Sequence, residues 1–141
     1  MSDKAGRILF ACNMNSVRSP MAEALAREML GPDIHVESCG VYEGILDPYV
    51  ARVLDEAGIP VPSRDPQSFG RLNVNGFDVV VALTSKAAAE ARKLGANVEF
   101  WDTANPTDIR DGEEQMLKAY RACRDELKAK IDERFGAGAS R

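Results

Sequence analysis

The stretch ILFACNMNSVRSPMAEAL, residues 8–25, joins an apolar segment to a short polar loop and then to the start of a helix. The apolar run before Cys12 predicts a short strand of the kind buried in a parallel sheet. Ser19 and Pro20 predict a helix start, with a hydroxyl N-cap and a proline at the first helical position. Five residues separate Cys12 from Arg18. The sequence therefore predicts a strand–loop–helix unit with a thiol at the end of the strand.

The rest of the chain repeats this alternation of strand and helix. Further strands are predicted at 34–38, 77–83 and 98–101, and further helices begin at Asp47, at Ser85 and after the loop 102–112. Such alternation indicates βαβ units in a parallel sheet with helices on both faces. Ligands of these sheets bind at the carboxyl ends of the strands, where Cys12 lies. We expect one α/β domain over residues 1–141, with a disordered tail at 136–141.

Composition narrows the classes of partner and cofactor. The net charge of -4 and the pI of about 5.1 disfavour nucleic acid or an anionic membrane as the main partner. No apolar run is long enough to span a bilayer, and the N-terminus lacks a signal-peptide layout, so we expect a cytoplasmic protein. Three widely spaced cysteines do not suggest a disulfide framework. His35 is the only histidine, so we expect neither a zinc site nor a Cys-His catalytic pair.

The loop after the first strand has the groups that phosphoryl transfer requires. Backbone N–H groups in a tight turn before a helix N-terminus form an anion-binding nest. Arg18 offers a planar fork for two oxygens of a phosphate-like anion. This setting favours the nucleophilic thiolate form of Cys12, to which the Ser19 hydroxyl can donate. The predicted phosphate-binding residues are Asn13, Met14, Asn15, Ser16, Val17 and Arg18. The predicted reaction forms a cysteinyl-phosphate, or attacks arsenate, without a metal or organic cofactor.

The same residues resemble the low-molecular-weight protein tyrosine phosphatase family, which also includes thioredoxin-coupled arsenate reductases. The family's loop is C-x-G-N-x-C-R-S, usually followed by proline, and this chain has CNMNSVRSP. The segments MAEAL, VESCG and FDVVVALTSKAA extend the resemblance over nearly the whole chain. The resemblance implies a four-stranded parallel sheet flanked by helices. It also implies Cys12 as the nucleophile, Arg18 as the phosphate clamp, Asn15 as the brace of the loop and Ser19 as the stabiliser of the thiolate.

Two loop positions depart from the family pattern. Met14 stands where the family has glycine, and Val17 stands where it has a second cysteine. Glycine often marks a positive φ, which methionine tolerates poorly, so we expect a somewhat reshaped loop. The loss of the second cysteine removes the family's usual disulfide protection of the nucleophile and leaves the chemistry intact.

The position of the general acid departs as well. The family has Asp-Pro in the loop before the last helix, and this chain has Asn105-Pro106 within WDTANPTD. Asparagine cannot donate a proton as a general acid, and the loss of such an acid costs about 10²–10⁴ in rate. Asp102, Asp108 and Asp111 are the candidate substitutes, although loop and capping roles are favoured for each.

The aromatic pair that often follows the family's Asp-Pro is missing here. Thr107 and Asp108 occupy its place, so a phosphotyrosine ring would lose one wall of its pocket. We expect Tyr42, on the loop after the second strand, to supply another wall. For Tyr49, at a helix start, packing is the favoured role.

Three functions remain open. The first is a phosphatase that acts on phosphotyrosine or a small aryl phosphomonoester, with a phosphorylated protein or a small phosphoester as its partner. The second is an arsenate reductase that uses Cys12 and an external small thiol, because LTSKAAAEARKLGAN holds no cysteine and we expect Cys39 and Cys123 to be buried. The third is an anion-binding module without turnover, which the reactive Cys12 disfavours.

Overall fold

The computed structural model describes residues 6–62 and 64–136. The strands are β1 (Arg7–Cys12), β2 (His35–Gly40), β3 (Val79–Ala82) and β4 (Val98–Phe100), and the α-helices are α1 (Arg18–Leu30), α2 (Pro48–Glu56), α3 (Ser85–Lys93) and α4 (Glu113–Phe135). Single-turn 3-10 helices at Phe69–Arg71, Val74–Gly76 and Pro106–Asp108 lie in the connections. Disorder is predicted for the tail at residues 136–141, of which residues 137–141 lie outside the described part of the chain.

The four strands are parallel and lie in the order β2-β1-β3-β4. Successive side chains of a strand point to opposite faces of the sheet. Ile8 and Phe10 therefore pack against α1, α2 and α4, and Leu9 and Ala11 pack on the other face, against α3 and the first two 3-10 helices. This arrangement confirms the predicted parallel sheet with helices on both faces. Because β1 is central, its last residue, Cys12, lies near the middle of the carboxyl edge.

The start of α1 differs from the prediction. The helix begins at Arg18, its N-cap is Val17, and no side chain caps it. The expectation that Ser19 caps the helix was therefore wrong. Ser19 is fully buried inside the first turn, where its hydroxyl contacts Cys12. A hydroxyl that is used at the end of the preceding strand cannot also cap the helix.

At the starts of α2 and α3, one predicted cap is confirmed and the other was wrong. Asp47 caps α2 as predicted, with its carboxylate accepting from the N–H of Tyr49. The cap of α3 is Thr84, whose Oγ1 accepts from the N–H of Ala87, whereas Ser85 was expected. Both Thr84 and Ser85 carry the required hydroxyl, and the end of β3 decides between them. In the described ranges, no helix is long and apolar enough to cross a membrane.

Candidate active site

Cys12 lies at the base of a cavity of about 570 Å³ between the end of β1 and the starts of α2 and α4. Its side chain is 2% exposed. Lining residues from three other parts of the chain complete the cavity: Leu46, Asp47 and Tyr49 around the start of α2, Asn105, Thr107 and Arg110 from the loop before α4, and Met116 and Tyr120 from α4. The fold therefore brings together the predicted nucleophile and the predicted acid position.

The anion loop, residues 12–18, is held from outside by the segment 41–47. The carbonyl groups of Cys12, Asn13, Met14 and Ser16 accept hydrogen bonds from the N–H groups of Val41, Tyr42, Gly44 and Asp47, at 2.8–3.1 Å. In a trans peptide group the N–H points opposite to the C=O. The N–H groups that follow these carbonyls are therefore turned away from the support and toward the concave side of the loop. Inward amides of this kind are the arrangement that an anion nest requires, and phosphate binding by the loop stays a prediction.

Two glycines allow the support to approach the loop. A Cβ on Gly40 would lie 2.6 Å from the backbone nitrogen of Asn15 and 2.8 Å from the carbonyl oxygen of Asn13. A Cβ on Gly44 would lie 2.6 Å from Ser16 Oγ. Real Cβ atoms do not approach other atoms so closely, so both positions require glycine. No pattern in the sequence indicates this requirement, because it depends on which segment faces the loop.

Asn15 is the centre of a buried hydrogen-bond network beneath the loop. Its Nδ2 lies 2.9 Å from both Ser19 Oγ and Ser38 Oγ, and its Oδ1 accepts from the N–H of Gln67. Asn15 has φ of 54°, the one positive φ among the described non-glycine residues. Asparagine is among the side chains that tolerate this conformation best. The left-handed conformation falls on Asn15 and not on Met14, so the methionine needs no positive φ at its position.

The hydroxyl of Ser19 is positioned to stabilise a thiolate. Ser19 Oγ lies 3.0 Å from Cys12 Sγ and 3.1 Å from the carbonyl oxygen of Cys39. The hydroxyl has one proton, which it can donate to either acceptor. An ionised sulfur attracts that proton more strongly than a neutral carbonyl does. The arrangement thus accommodates both the thiol and the thiolate without movement of the backbone.

Arg18 links the anion loop to the loop before α4. Its Nη1 donates to the carbonyl oxygen of Thr103 at 2.9 Å. A guanidinium has five N–H donors, and in the described residues this is the only hydrogen bond of the Arg18 side chain. Arg18 lines the cavity, and its remaining donors are available to two oxygens of an anion.

A buried carboxylate supports Asn15 from below. Glu23 of α1 is fully buried, and its Oε1 accepts from the hydroxyl of Ser38 at 2.6 Å. Arg64 lies 2.5 Å from Oε1, and Arg27 lies 2.7 Å from Oε2. Buried charges need such partners, so this cluster fixes Ser38 beneath the loop. The spacing of Glu23 and Arg27 suggests a helix-surface pair, and no local pattern identifies Arg64 as a partner.

Of the predicted acid-loop residues, one lies at the cavity. Asn105 lines it, and its Oδ1 accepts from the N–H of Thr107 at 3.1 Å. Asp102 and Asp108 are not among the lining residues. Asp47, which was not among the predicted site residues, is the one carboxylate that lines the cavity in the described part of the chain.

Both oxygens of the Asp47 carboxylate are occupied. Oδ1 accepts from the N–H of Tyr49 at 2.8 Å, and Oδ2 accepts from the hydroxyl of Tyr120 at 2.6 Å. Burial, together with the hydrogen bond to Asp47, raises the pKa of Tyr120. Tyr120 therefore keeps its proton, and the start of α2 stays tied to α4.

The two tyrosines considered for the pocket wall lie in different places: Tyr49 packs against the core, as predicted, and also lines the cavity. Tyr42 is 51% exposed, and Lys86 Nζ lies 4.9 Å from the centroid of its ring. Tyr42 does not line the cavity, whereas Tyr49 does. The expectation for Tyr42 is corrected accordingly, because the segment that follows Gly40 directs the Tyr42 ring outward.

The other cysteines are free, buried and outside the lining of the cavity. Burial raises the pKa of Cys39, and it raises that of Cys123 to about 12. Both are therefore neutral thiols near pH 7. In the described ranges, no group of three or more His, Cys, Asp or Glu side chains could hold a metal ion.

Known proteins resemble this chain over most of its length. The profile of the family described as low molecular weight phosphotyrosine protein phosphatase matches residues 7–136. A protein-arginine-phosphatase of Geobacillus stearothermophilus is 33% identical over 136 residues, with 89% of this chain and 91% of the relative covered. An arsenate reductase of Bacillus subtilis is 30% identical over 128 residues, with 89% and 92% covered.

The fold comparison agrees. A solved structure of an arsenate reductase in the phosphate-binding state superposes with a TM-score of 0.77 at 25% identity, and the match covers 90% of this chain and 94% of that one. These matches confirm the resemblance carried by the CNMNSVRSP loop. The chain belongs to the low molecular weight phosphotyrosine protein phosphatase family, a family of enzymes that includes both phosphatases and arsenate reductases.

Proposed function

We propose that this protein is a cysteine-dependent phosphatase that hydrolyses phosphotyrosine or small aryl phosphomonoesters through a cysteinyl-phosphate. The observation that carries the proposal is the hydroxyl of Ser19, 3.0 Å from Cys12 Sγ at the base of the cavity. A buried core cysteine has no need of a hydroxyl partner, of inward amides or of an arginine that lines the same cavity. The substrate is a phosphorylated protein or a small phosphoester.

The reaction follows from the groups at the cavity. Cys12 Sγ attacks phosphorus, while the loop amides and Arg18 hold the non-bridging oxygens, and the bond from phosphorus to the leaving oxygen breaks. Water then attacks the cysteinyl-phosphate, and the bond between sulfur and phosphorus breaks. The Ser19 hydroxyl stabilises the thiolate that returns. Since Asn105 cannot supply a proton, hydrolysis of phosphotyrosine is expected to be slow.

Hydrolysis of para-nitrophenyl phosphate tests the proposal, because its good leaving group depends least on a general acid. We expect turnover by the wild type from mildly acidic to neutral pH and none by Cys12→Ser. Cys123→Ser makes the same exchange at a cysteine outside the cavity, and we expect it to retain turnover. Equal rates for the wild type and Cys12→Ser would refute the phosphatase.

Arsenate reduction is the second candidate, and the 30% identity to an arsenate reductase favours it. Cys39 and Cys123 are buried, so an arsenate adduct on Cys12 would need an external small thiol to resolve it. Arsenite formation with glutathione, lost in Cys12→Ser, would support this candidate. Without external thiol, we expect no arsenite. The three free cysteines suit a reducing compartment, so we propose a cytoplasmic location for either activity.

A further inference from the structure

The cavity holds a nucleophile and an anion site, and its lining offers no group suited to protonate a leaving group. Asn105, at the acid position, accepts the N–H of Thr107 with its Oδ1. The oxygen of the amide is occupied by this donor, and Asn105 lines the cavity, so Nδ2 remains available to a substrate. In the described residues Nδ2 has no acceptor. Asn105 can therefore donate a hydrogen bond to a leaving oxygen and cannot transfer a proton to it.

The remaining polar groups of the cavity do not replace the acid. Asp47 accepts two hydrogen bonds, from Tyr49 N–H and from Tyr120 O–H, and so acts as an acceptor in this arrangement. Tyr120 is 1% exposed and already donates to Asp47. The Tyr49 hydroxyl donates to Glu113 at 3.3 Å. Arg110 carries a guanidinium, which does not release protons in proteins.

A site of this composition selects substrates by the acidity of the leaving group. The hydroxyl of tyrosine has a pKa of about 10, so an unprotonated phenolate leaves poorly at neutral pH. A carboxylic acid has a pKa of about 4, so a carboxylate leaves without a proton. Hydrogen bonding by a neutral amide is sufficient for such a leaving group.

We propose that the preferred substrates of this cavity are acyl phosphates, whose leaving group is a carboxylate. This inference rests on the proposed phosphatase and specifies the substrate class of the same site. The thiolate of Cys12 attacks phosphorus, the bond between sulfur and phosphorus forms, and the bond between phosphorus and oxygen breaks to release a carboxylate. Water then displaces the thiolate, and the proton of the attacking water ends on the phosphate product. Asn105 Nδ2 donates to the departing oxygen throughout the first step.

Replacement of the side-chain amide at position 105 by a carboxyl group tests the proposal. Asn105→Asp introduces a carboxyl group and keeps an oxygen for the N–H of Thr107, so the local turn is preserved. Asp108→Asn makes the reverse exchange on the same loop, outside the cavity lining, and is the matched control. The substrates are acetyl phosphate, phosphotyrosine and a series of substituted phenyl phosphates. The quantity compared is kcat/KM, since it includes departure of the leaving group and does not include the later hydrolysis of the cysteinyl-phosphate.

For the wild type and Asp108→Asn, we expect kcat/KM to fall steeply as the leaving-group pKa rises, with acetyl phosphate well above phosphotyrosine. In Asn105→Asp, the ratio of kcat/KM for acetyl phosphate to kcat/KM for phosphotyrosine should fall by about 10²–10⁴, the usual contribution of a general acid. Rates in Cys12→Ser are subtracted, because acetyl phosphate also hydrolyses in water. A protein that carries an aspartyl phosphate offers the same bond. Faster hydrolysis of acetyl phosphate or of the aspartyl phosphate than of phosphotyrosine supports the proposal. The faster of these two acyl phosphates shows whether the substrate is a metabolite or a protein.

Two results would overturn the proposal in different ways. Turnover that depends on Cys12 but varies little with leaving-group pKa would mean that another group donates the proton, and the phosphatase would stand without the acyl phosphate preference. Absence of any turnover that depends on Cys12, for all substrates, would remove the phosphatase itself and the preference with it.

Discussion

Replacement of Gly40 by alanine is expected to distort the anion loop. The added Cβ would lie 2.6 Å from both the backbone nitrogen of Asn15 and the carbonyl oxygen of Tyr42, and 2.8 Å from the carbonyl oxygen of Asn13. All three atoms belong to the backbone and cannot rotate away. Either the end of β2 or the loop must therefore shift by roughly half an ångström or more, as overpacking in a dense interior requires.

The magnitude follows from that shift. Overpacking of this kind typically costs about 1–3 kcal/mol of unfolding free energy. A misplacement approaching 1 Å at a reacting group can cost about 10² in rate. We therefore expect Gly40→Ala to lose about 1–3 kcal/mol in urea unfolding and about 10² in kcat/KM for para-nitrophenyl phosphate. Gly40 does not have a positive φ, so the loss comes from the contacts.

Gly70→Ala is the matched control for this experiment. A Cβ there would meet Ser68 Oγ at 3.8 Å, an ordinary contact, and Gly70 has no positive φ. We expect its stability to stay within about 0.5 kcal/mol of the wild type and its kcat/KM to be unchanged. The reasoning fails if Gly40→Ala unfolds at the same urea concentration as Gly70→Ala and keeps the wild-type kcat/KM.

Three further predictions concern the network beneath the cavity and its thiols. Ser19→Ala removes the hydroxyl 3.0 Å from the sulfur, so the pH profile of kcat/KM should move to higher pH, and an unchanged profile would exclude this role. Glu23→Gln leaves the two arginines that contact Glu23 without a carboxylate partner. We expect a loss of about 1–3 kcal/mol in the free energy of unfolding by heat or urea, a loss that is limited because both arginines are partly exposed. A variant as stable as the wild type would contradict this. After treatment of the native protein with iodoacetamide at pH 7, mass spectrometry should find Cys12 modified and Cys39 and Cys123 unmodified, because burial raises the pKa of the latter two thiols. Added phosphate should protect Cys12. Rapid modification of Cys39 would count against the packing described.

The elements that the sequence identified are those with a local signal. The apolar runs before Cys12 and around residues 79–82 predict strands, because a buried parallel strand needs an unbroken series of apolar side chains. Asp47-Pro48 predicts the start of α2, because cap and first turn are adjacent in the chain. The same pattern does not identify the cap of α3, since Thr84 and Ser85 are adjacent and both carry a hydroxyl.

The sequence by itself determined the alternation of strands and helices, the Cys12 loop and the asparagine at position 105, because these depend on residue types and short spacings. Only the tertiary structure decided which distant groups meet. Arg64 reaches Glu23 across 41 positions, and Tyr120 reaches Asp47 across 73. The requirement for glycine at position 40 exists because β2 ends against the anion loop. Contacts of this kind depend on how the helices and strands pack in three dimensions, and a linear pattern of polar and apolar residues does not specify them.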